Sequence, residues 1–162
     1  MLPATSPSVK NPATETLDYA VSALGHRIRR VHQIGVSLFN EEVAALGLTP
    51  VQYVALAAIV ADDEADATRI AEIAHTDRST MGSVVERLEA KGFIERGYRP
   101  NDKRTKRLSA TALGRAVLER SDSAVRRSQE RLMNGLDPAA RHALMSMLDV
   151  IIAAHEGRDG GE

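Results

Sequence analysis

The chain has 162 residues, a hydrophobic share of 43% and a formal net charge of -1, enough for one compact domain with helical extensions. It has no cysteine, which excludes disulfides, thiolate metal sites and thiol redox sensing. Aromatic residues make up only 3% and Trp is absent, which argues against stacking platforms for RNA or single-stranded DNA.

Residues 1–16, rich in Pro, Ser and Thr and without the apolar core of a signal peptide, read as a flexible tail. No apolar run approaches membrane-span length, so the expected location is the cytoplasm, with no membrane partner. Leu17, Val21, Leu24, Ile28 and Val31 follow 4-3-4-3 spacing, and Leu38 lies one heptad after Val31. The pattern predicts one long helix closing near Gly47, with Arg27, Arg29 and Arg30 on its opposite face. In "LTPVQYVALAAIVAD", Thr49 is an N-cap and Pro50 the first helical position of a buried helix. "TRIAEIAH" reads as a short helix with Ile70, Ile73 and Ala74 inward, followed by a turn at Thr76 and Asp77. Asp77 then caps a helix through "RSTMGSVVERLEAKG", which buries Met81, Val84, Val85 and Leu88 and closes at Gly92. "FIERGY" and "KRLSA" read as two short strands, turning at Pro100–Asp102. Thr111 caps a long polar helix towards Asn134. Asp137 and Pro138 start a last helix with Leu144, Leu148, Ile151 and His155 on one face. Residues 157–162 read as a second tail.

The predicted fold class is mainly α: a winged helix-turn-helix, that is a helix-turn-helix followed by a two-stranded β-wing, flanked by N- and C-terminal helices. On the third helix of this cluster, Thr80, Ser83 and Arg87 share a face beside the apolar stripe, with Arg78 and Ser79 at the N-terminal end. Small hydroxyls and an Arg suit close approach to base edges and phosphates in a major groove. The hairpin reinforces this reading. Between Arg96 and Arg107 lie Arg96, Arg99, Lys103, Arg104, Lys106 and Arg107 against a single acid, Asp102. A solvated surface normally intersperses both signs, whereas clustered cations release condensed counterions on binding a duplex. Double-stranded DNA is therefore the expected partner.

"LTPVQYVALAAI", "RSTMGSVVERLEAKGFIER", "RPNDKRTKRL" and "TALG" together resemble the MarR (multiple antibiotic resistance regulator) family of bacterial transcription factors. The resemblance runs roughly from Leu17 to His155. It implies that Arg104, in Asp102-Lys103-Arg104, reaches into the minor groove and that Asp102 braces the wing. Ala110-Thr111-Ala112-Leu113-Gly114 departs from the family's usual Leu-Thr, two polar residues, Gly pattern, but keeps the Thr and the Gly. The resemblance also implies a homodimer on a palindromic operator, interlocked through Leu17, Val21, Leu24 and Ile28 of the first helix and Leu144, Leu148 and Ile151 of the last. The expected division is a tail (1–16), an N-terminal dimerisation helix (17–47), the winged lobe (48–110), linker and dimerisation helices (111–156) and a tail (157–162).

Proteins of this family often act as repressors and release DNA on binding a small aromatic acid, such as a benzoate-, hydroxybenzoate- or nicotinate-like molecule. His26, Arg27, Arg30, His32 and Tyr53, with Tyr19 behind them, are the candidates to hold one, because an anionic aromatic needs a cation, a donor and an apolar slot. The five histidines, His26, His32, His75, His142 and His155, include no i,i+3 or i,i+4 pair, so no helical metal motif exists and no metal or cofactor is predicted. Phosphate-loop, nucleophile-elbow, zinc-protease and dinucleotide fingerprints are absent, so an enzyme is not expected. The alternatives are a regulator of the same fold responding to a metal or another ligand, and a helical dimerisation module without a DNA role.

Overall fold

The structure is a computed structural model that describes residues 11–62, 65–99 and 102–156; side chains at 12, 98, 99 and 102–106 lie outside the described set. The predicted tail at 157–162 and the first ten residues of the other lie outside it as well. The elements are α1 (Pro12–Ser22), α2 (Leu24–Val43), α3 (Pro50–Ala61), α4 (Ala67–Ile73), α5 (Arg78–Ala90), β1 (Ile94–Arg99), β2 (Asp102–Ala110), α6 (Ala112–Leu132) and α7 (Pro138–Glu156).

The N-terminal region differs from expectation twice. Helix begins within the predicted tail, because the Asn11 side chain caps it, accepting from the Ala13 N–H at 3.0 Å, and Pro12 fits the first turn. The predicted single helix is broken at Ala23, whose φ/ψ of -60/145 is extended. Leu17 and Val21 therefore sit on α1, and Leu24, Ile28 and Val31 on α2. α2 continues through a 3-10 turn (Ala44–Leu46) to Gly47, which adopts the left-handed φ of 66°.

α3 starts with a reciprocal cap. The Gln52 N–H donates to Thr49 Oγ1 at 3.4 Å, and the Thr49 N–H donates to Gln52 Oε1 at 3.3 Å. The core lies among α3, α4 and α5, where Leu56, Ile59, Ile70, Met81 and Leu88 are fully buried. Phe93 and Ile94 of the wing base, Leu108, Val117, Phe39 and Val43 close it. On α4 the inward residues are Ile70 and Ala71; Ile73 is exposed and Ala74 half-buried, so the predicted inward set is corrected. The turn comes at Ala74 and His75, two residues earlier than expected, with His75 at φ 46° and the Thr76 N–H bonded to the Ala71 carbonyl at 3.0 Å.

β1 and β2 pair antiparallel from Ile94↔Ala110 to Arg99↔Asp102, with an irregularity between Tyr98 and Arg99. The Leu108 N–H reaches the Ala65 carbonyl at 3.0 Å, fastening the wing to the loop before α4. Where the wing returns, Thr111 caps α6 (Gly114 N–H to Thr111 Oγ1, 3.0 Å) and its hydroxyl donates to the Gly92 carbonyl at 2.7 Å. A Cβ built on Gly114 would lie 2.0 Å from the Phe93 carbonyl oxygen, so the first turn of α6 closes directly on backbone.

α6 runs beside α2. Its buried Ser121 and Ser128 hydroxyls donate to the Val117 and Val125 carbonyls of the same helix, both at 2.7 Å, so they stay satisfied out of water. The polar edge is clamped by charge. Glu42 accepts from Arg127 Nε at 3.0 Å and from Arg131 at 2.9 Å, and Arg131 also reaches Glu41 at 2.7 Å. Hydrogen bonds from Arg127 and Arg131 hold the Glu42 carboxyl below the usual glutamate value. α7 has no buried residue at all.

Candidate nucleic-acid interface

α5 is presented by the turn before it. The Thr80 N–H donates to Asp77 Oδ1 at 2.8 Å and the Thr80 hydroxyl to Asp77 Oδ2 at 2.6 Å. Those two bonds, the hydroxyl's first, lower the Asp77 carboxyl below its ordinary value. Met81, Val84, Val85 and Leu88 are buried as expected, while Arg78, Ser79, Thr80, Ser83 and Arg87 are all exposed. The Thr80 hydroxyl is already spent on the cap. What it offers outward is a methyl group and an acceptor, the first suited to a thymine methyl.

The wing cations divide. Arg96 does not point away as a free charge: its Nε lies 2.8 Å from Glu89 Oε2, which ties the wing base to the last turn of α5. Arg107 is half-buried and lies across β1. Its Nε is 3.3 Å from where a Cβ on Gly97 would sit, and Gly97 is its register partner. Arg99 and Asp102 are register partners at the wing tip, and Lys103, Arg104 and Lys106 follow on β2; the side chains of these five lie outside the described residues, as do Pro100 and Asn101.

The residues expected to meet a second chain are exposed in this one: Leu17 62%, Leu24 62%, Val21 48%, Ile28 45%, Ile151 43% and Leu144 37%, with Leu148 half-buried. The ligand candidates are not gathered in one place. Arg27 and His32 line an apolar cavity of about 390 Å³ between α2 and α7, with Leu24, Ile28, Val31, Leu144 and Leu148. His32 also borders a cleft of about 230 Å³ near Gly35, Phe39, Pro50 and Gln129. Tyr53 packs edge-on against Phe39, ring centroids 6.1 Å apart, and belongs to the margin of the core. His26 and Arg30 line neither space. Among the described residues no group of three His, Cys, Asp or Glu could hold a metal ion. No single described helix is long and apolar enough to cross a membrane.

Sequence spacing missed three polar contacts that organise this interface. Glu89 pairs with Arg96 across a helix-to-strand corner. Glu42 pairs with two arginines of α6, for which the i,i+4 spacing of Arg127 and Arg131 was the available signal. Gln52, 3% exposed, accepts from Lys91 Nζ at 3.0 Å, and a buried Gln amid "VQYVALAAI" was the hint there.

Residues 48–106 match the model of the MarR family. The chain is 26% identical over 152 residues to the HTH-type transcriptional repressor NicR of Pseudomonas putida, covering 94% of this chain and 96% of that one. Its fold is similar to that of BpsR of Bordetella bronchiseptica, whose DNA binding is regulated by 6-hydroxynicotinic acid, with TM-score 0.76 and 27% identity over 81% of this chain and 94% of that one. It is also similar to the transcriptional repressor CouR bound to a 23-mer DNA duplex, with TM-score 0.77 and 31% identity over 84% of this chain and 96% of that one.

Proposed function

Because this chain belongs to the MarR family and is a transcriptional regulator, we propose that it acts as a cytoplasmic homodimeric repressor. It sits on a palindromic operator until a small aromatic acid removes it. The observation that carries the DNA role is the juxtaposition of α5's exposed hydroxyl and Arg face with a basic hairpin fastened to its last turn through Arg96 and Glu89. In this reading Arg78, Ser79, Thr80, Ser83 and Arg87 enter a major groove. Arg99, Lys103, Arg104, Lys106 and Arg107 follow phosphates or the adjacent minor groove, with Asp102 bracing the tip. Arg96 joins them as a brace more than as a phosphate contact, because it already holds Glu89.

Two copies are needed because one recognition helix reads only a few base pairs, and a two-fold dimer reads two half-sites. The exposed apolar faces of α1, α2 and α7 supply the surface for the second copy. The effector reading rests on the apolar cavity between α2 and α7, a slot for an aromatic ring; Arg27 and His32 border it with carbon surface only, so each must turn its polar end inward to meet an acid. The 6-hydroxynicotinic acid that regulates BpsR is a molecule of that chemistry. Release follows if the acid favours a dimer whose α5 helices are wrongly spaced for successive major grooves.

The test is fluorescence anisotropy with a duplex from upstream of the protein's own gene against a scrambled one, titrated at several salt concentrations. Sequence-selective binding that 6-hydroxynicotinate or a hydroxybenzoate reverses is the expected result. Equal weak binding to both duplexes would leave the hairpin a non-specific anchor and sink the operator reading.

A further inference from the structure

α5 ends in an unusual way. Its C-cap residue, Lys91, sends its ammonium back to the Gly47 carbonyl and, at 3.0 Å, to Gln52 Oε1. These partners are 44 and 39 residues away in sequence. Both stand at the corner where the α2 arm passes into the winged lobe. The Gly47 carbonyl lies at the end of the 3-10 turn that extends α2, the negative end of that helical segment, so an ammonium there is held by dipole as well as by hydrogen bond. Gln52 is 3% exposed, and its single amide oxygen also receives the Thr49 cap N–H at 3.3 Å. One atom thus serves the cap that starts α3 and the tether that ends α5.

We infer that Lys91 is a positioning residue: it pins the DNA-facing helix to the arm–lobe corner, so that the setting of α5 follows the setting of α2. The inference rests on the proposed DNA-facing role of α5 and adds a route by which the arms govern it. A shift of α2 that displaces the Gly47 carbonyl must either carry Lys91 along or break its bond to that carbonyl, while the Gln52 bond keeps the ammonium fixed to the start of α3. Glu89, two residues earlier, holds the wing through Arg96. The last turn of α5 is therefore the junction of arm, recognition helix and wing. Because its ammonium is engaged at the corner, Lys91 contributes through geometry and not as a phosphate contact.

The natural absence of cysteine allows labels to be placed at will. Spin labels at Ser37→Cys on α2 and Ser83→Cys on α5, in protein diluted with unlabelled chain, report the arm-to-helix distance within one chain without DNA. The parent should give one narrow distribution. Lys91→Met, which keeps the stem and removes charge and donors, should broaden or shift it, and Lys91→Arg should restore it. In otherwise unmodified protein, Lys91→Met should weaken operator binding about tenfold, the order of one lost charge-assisted hydrogen bond, with the salt slope unchanged. A Lys91→Met distribution that superimposes on the parent's overturns the inference. So does a salt slope reduced by about one, which would make Lys91 a phosphate ligand, or a broadened distribution with full operator affinity. If Lys91→Met fails to fold, Gln52→Glu decides: it keeps the acceptor and adds a charge, so the distribution should stay as narrow as the parent's, and broadening would refute the tether. If the parent itself binds no DNA, the reading of α5 fails while the label distances still report on the tether.

Discussion

The winged lobe and the terminal helices solve the burial problem differently. From Leu48 to Leu108 the lobe buries Leu56, Ile59, Ile70, Met81 and Leu88 to 0% exposure within a single chain. α7 is of comparable length to the other long helices and buries nothing, and α1 and the first half of α2 leave Leu17, Leu24 and Val31 more than half in water and Ile28 exposed as well. Apolar residues at helical spacing thus mean two things here. In the lobe the stripe is half of a core whose other half is nearby in sequence. In the arms the stripe stays open within the chain, and it is the surface that the proposed second copy would cover. Contiguous apolar exposure of this kind marks an association surface.

That contrast can be broken most severely at Leu24. Leu24→Asp should dissociate the dimer in sedimentation and abolish operator binding, while circular dichroism still reports a folded lobe; a surviving dimer would refute the shared-core reading. Ser83→Glu should abolish operator binding too, but through charge facing the groove, with a stability change within about 0.5 kcal/mol because Ser83 is an exposed surface site. Normal anisotropy titration of this variant would mean that α5 presents another face. Leu56→Ala, fully buried in the lobe, should cost about 2–5 kcal/mol in urea unfolding, a penalty that no change in protein concentration offsets. Arg104→Ala should weaken operator binding by about tenfold and lower the salt slope by about one.

The smallest effect concerns the charged seam joining arm to α6. The Glu42 carboxyl is held below its ordinary value of 4.5 by Arg127 and Arg131. A carboxyl depressed in the folded state contributes stability above its unfolded value, and that contribution is lost as pH falls through the folded one. Glu42→Gln should therefore flatten the stability–pH curve below about pH 4.5 and change little at neutrality; pH-dependent urea melts of the pair would show it, and parallel curves would exclude Glu42 from the acid response.

Much of the lobe was legible because its signals are local. Thr49, Asp77, Thr111 and Asp137 each cap the helix they were expected to cap, accepting from a backbone N–H three residues on. The α5 stripe spans enough turns for periodicity to declare its buried face. α4, seven residues long, does not, so Ile73 was exchanged for Ala71. The break at Ala23 needs only one extended residue in an unremarkable composition, which periodicity passes over. The helix start at Pro12 was hidden by a Pro- and Thr-rich stretch, although Asn11-Pro12 is a cap followed by a first-turn proline. Arg96 was counted with the other cations because charge runs are visible and partners across a corner are not. No spacing rule links Lys91 to Gly47.

Gly114 turns one close approach into a statement about tolerated variation. With the Phe93 oxygen 2.0 Å from where a methyl carbon would begin, even alanine must push α6 off the wing base, so a saturation library selected for repression should hold a single permitted letter at this position. Gly25 and Gly82, with open space within the chain where a side chain would grow, meet no such limit from the fold itself. Position 114 would then stand out as a gap in the mutational map although it touches neither DNA nor effector, and a gap of that kind would record the wing–α6 joint, not a binding surface.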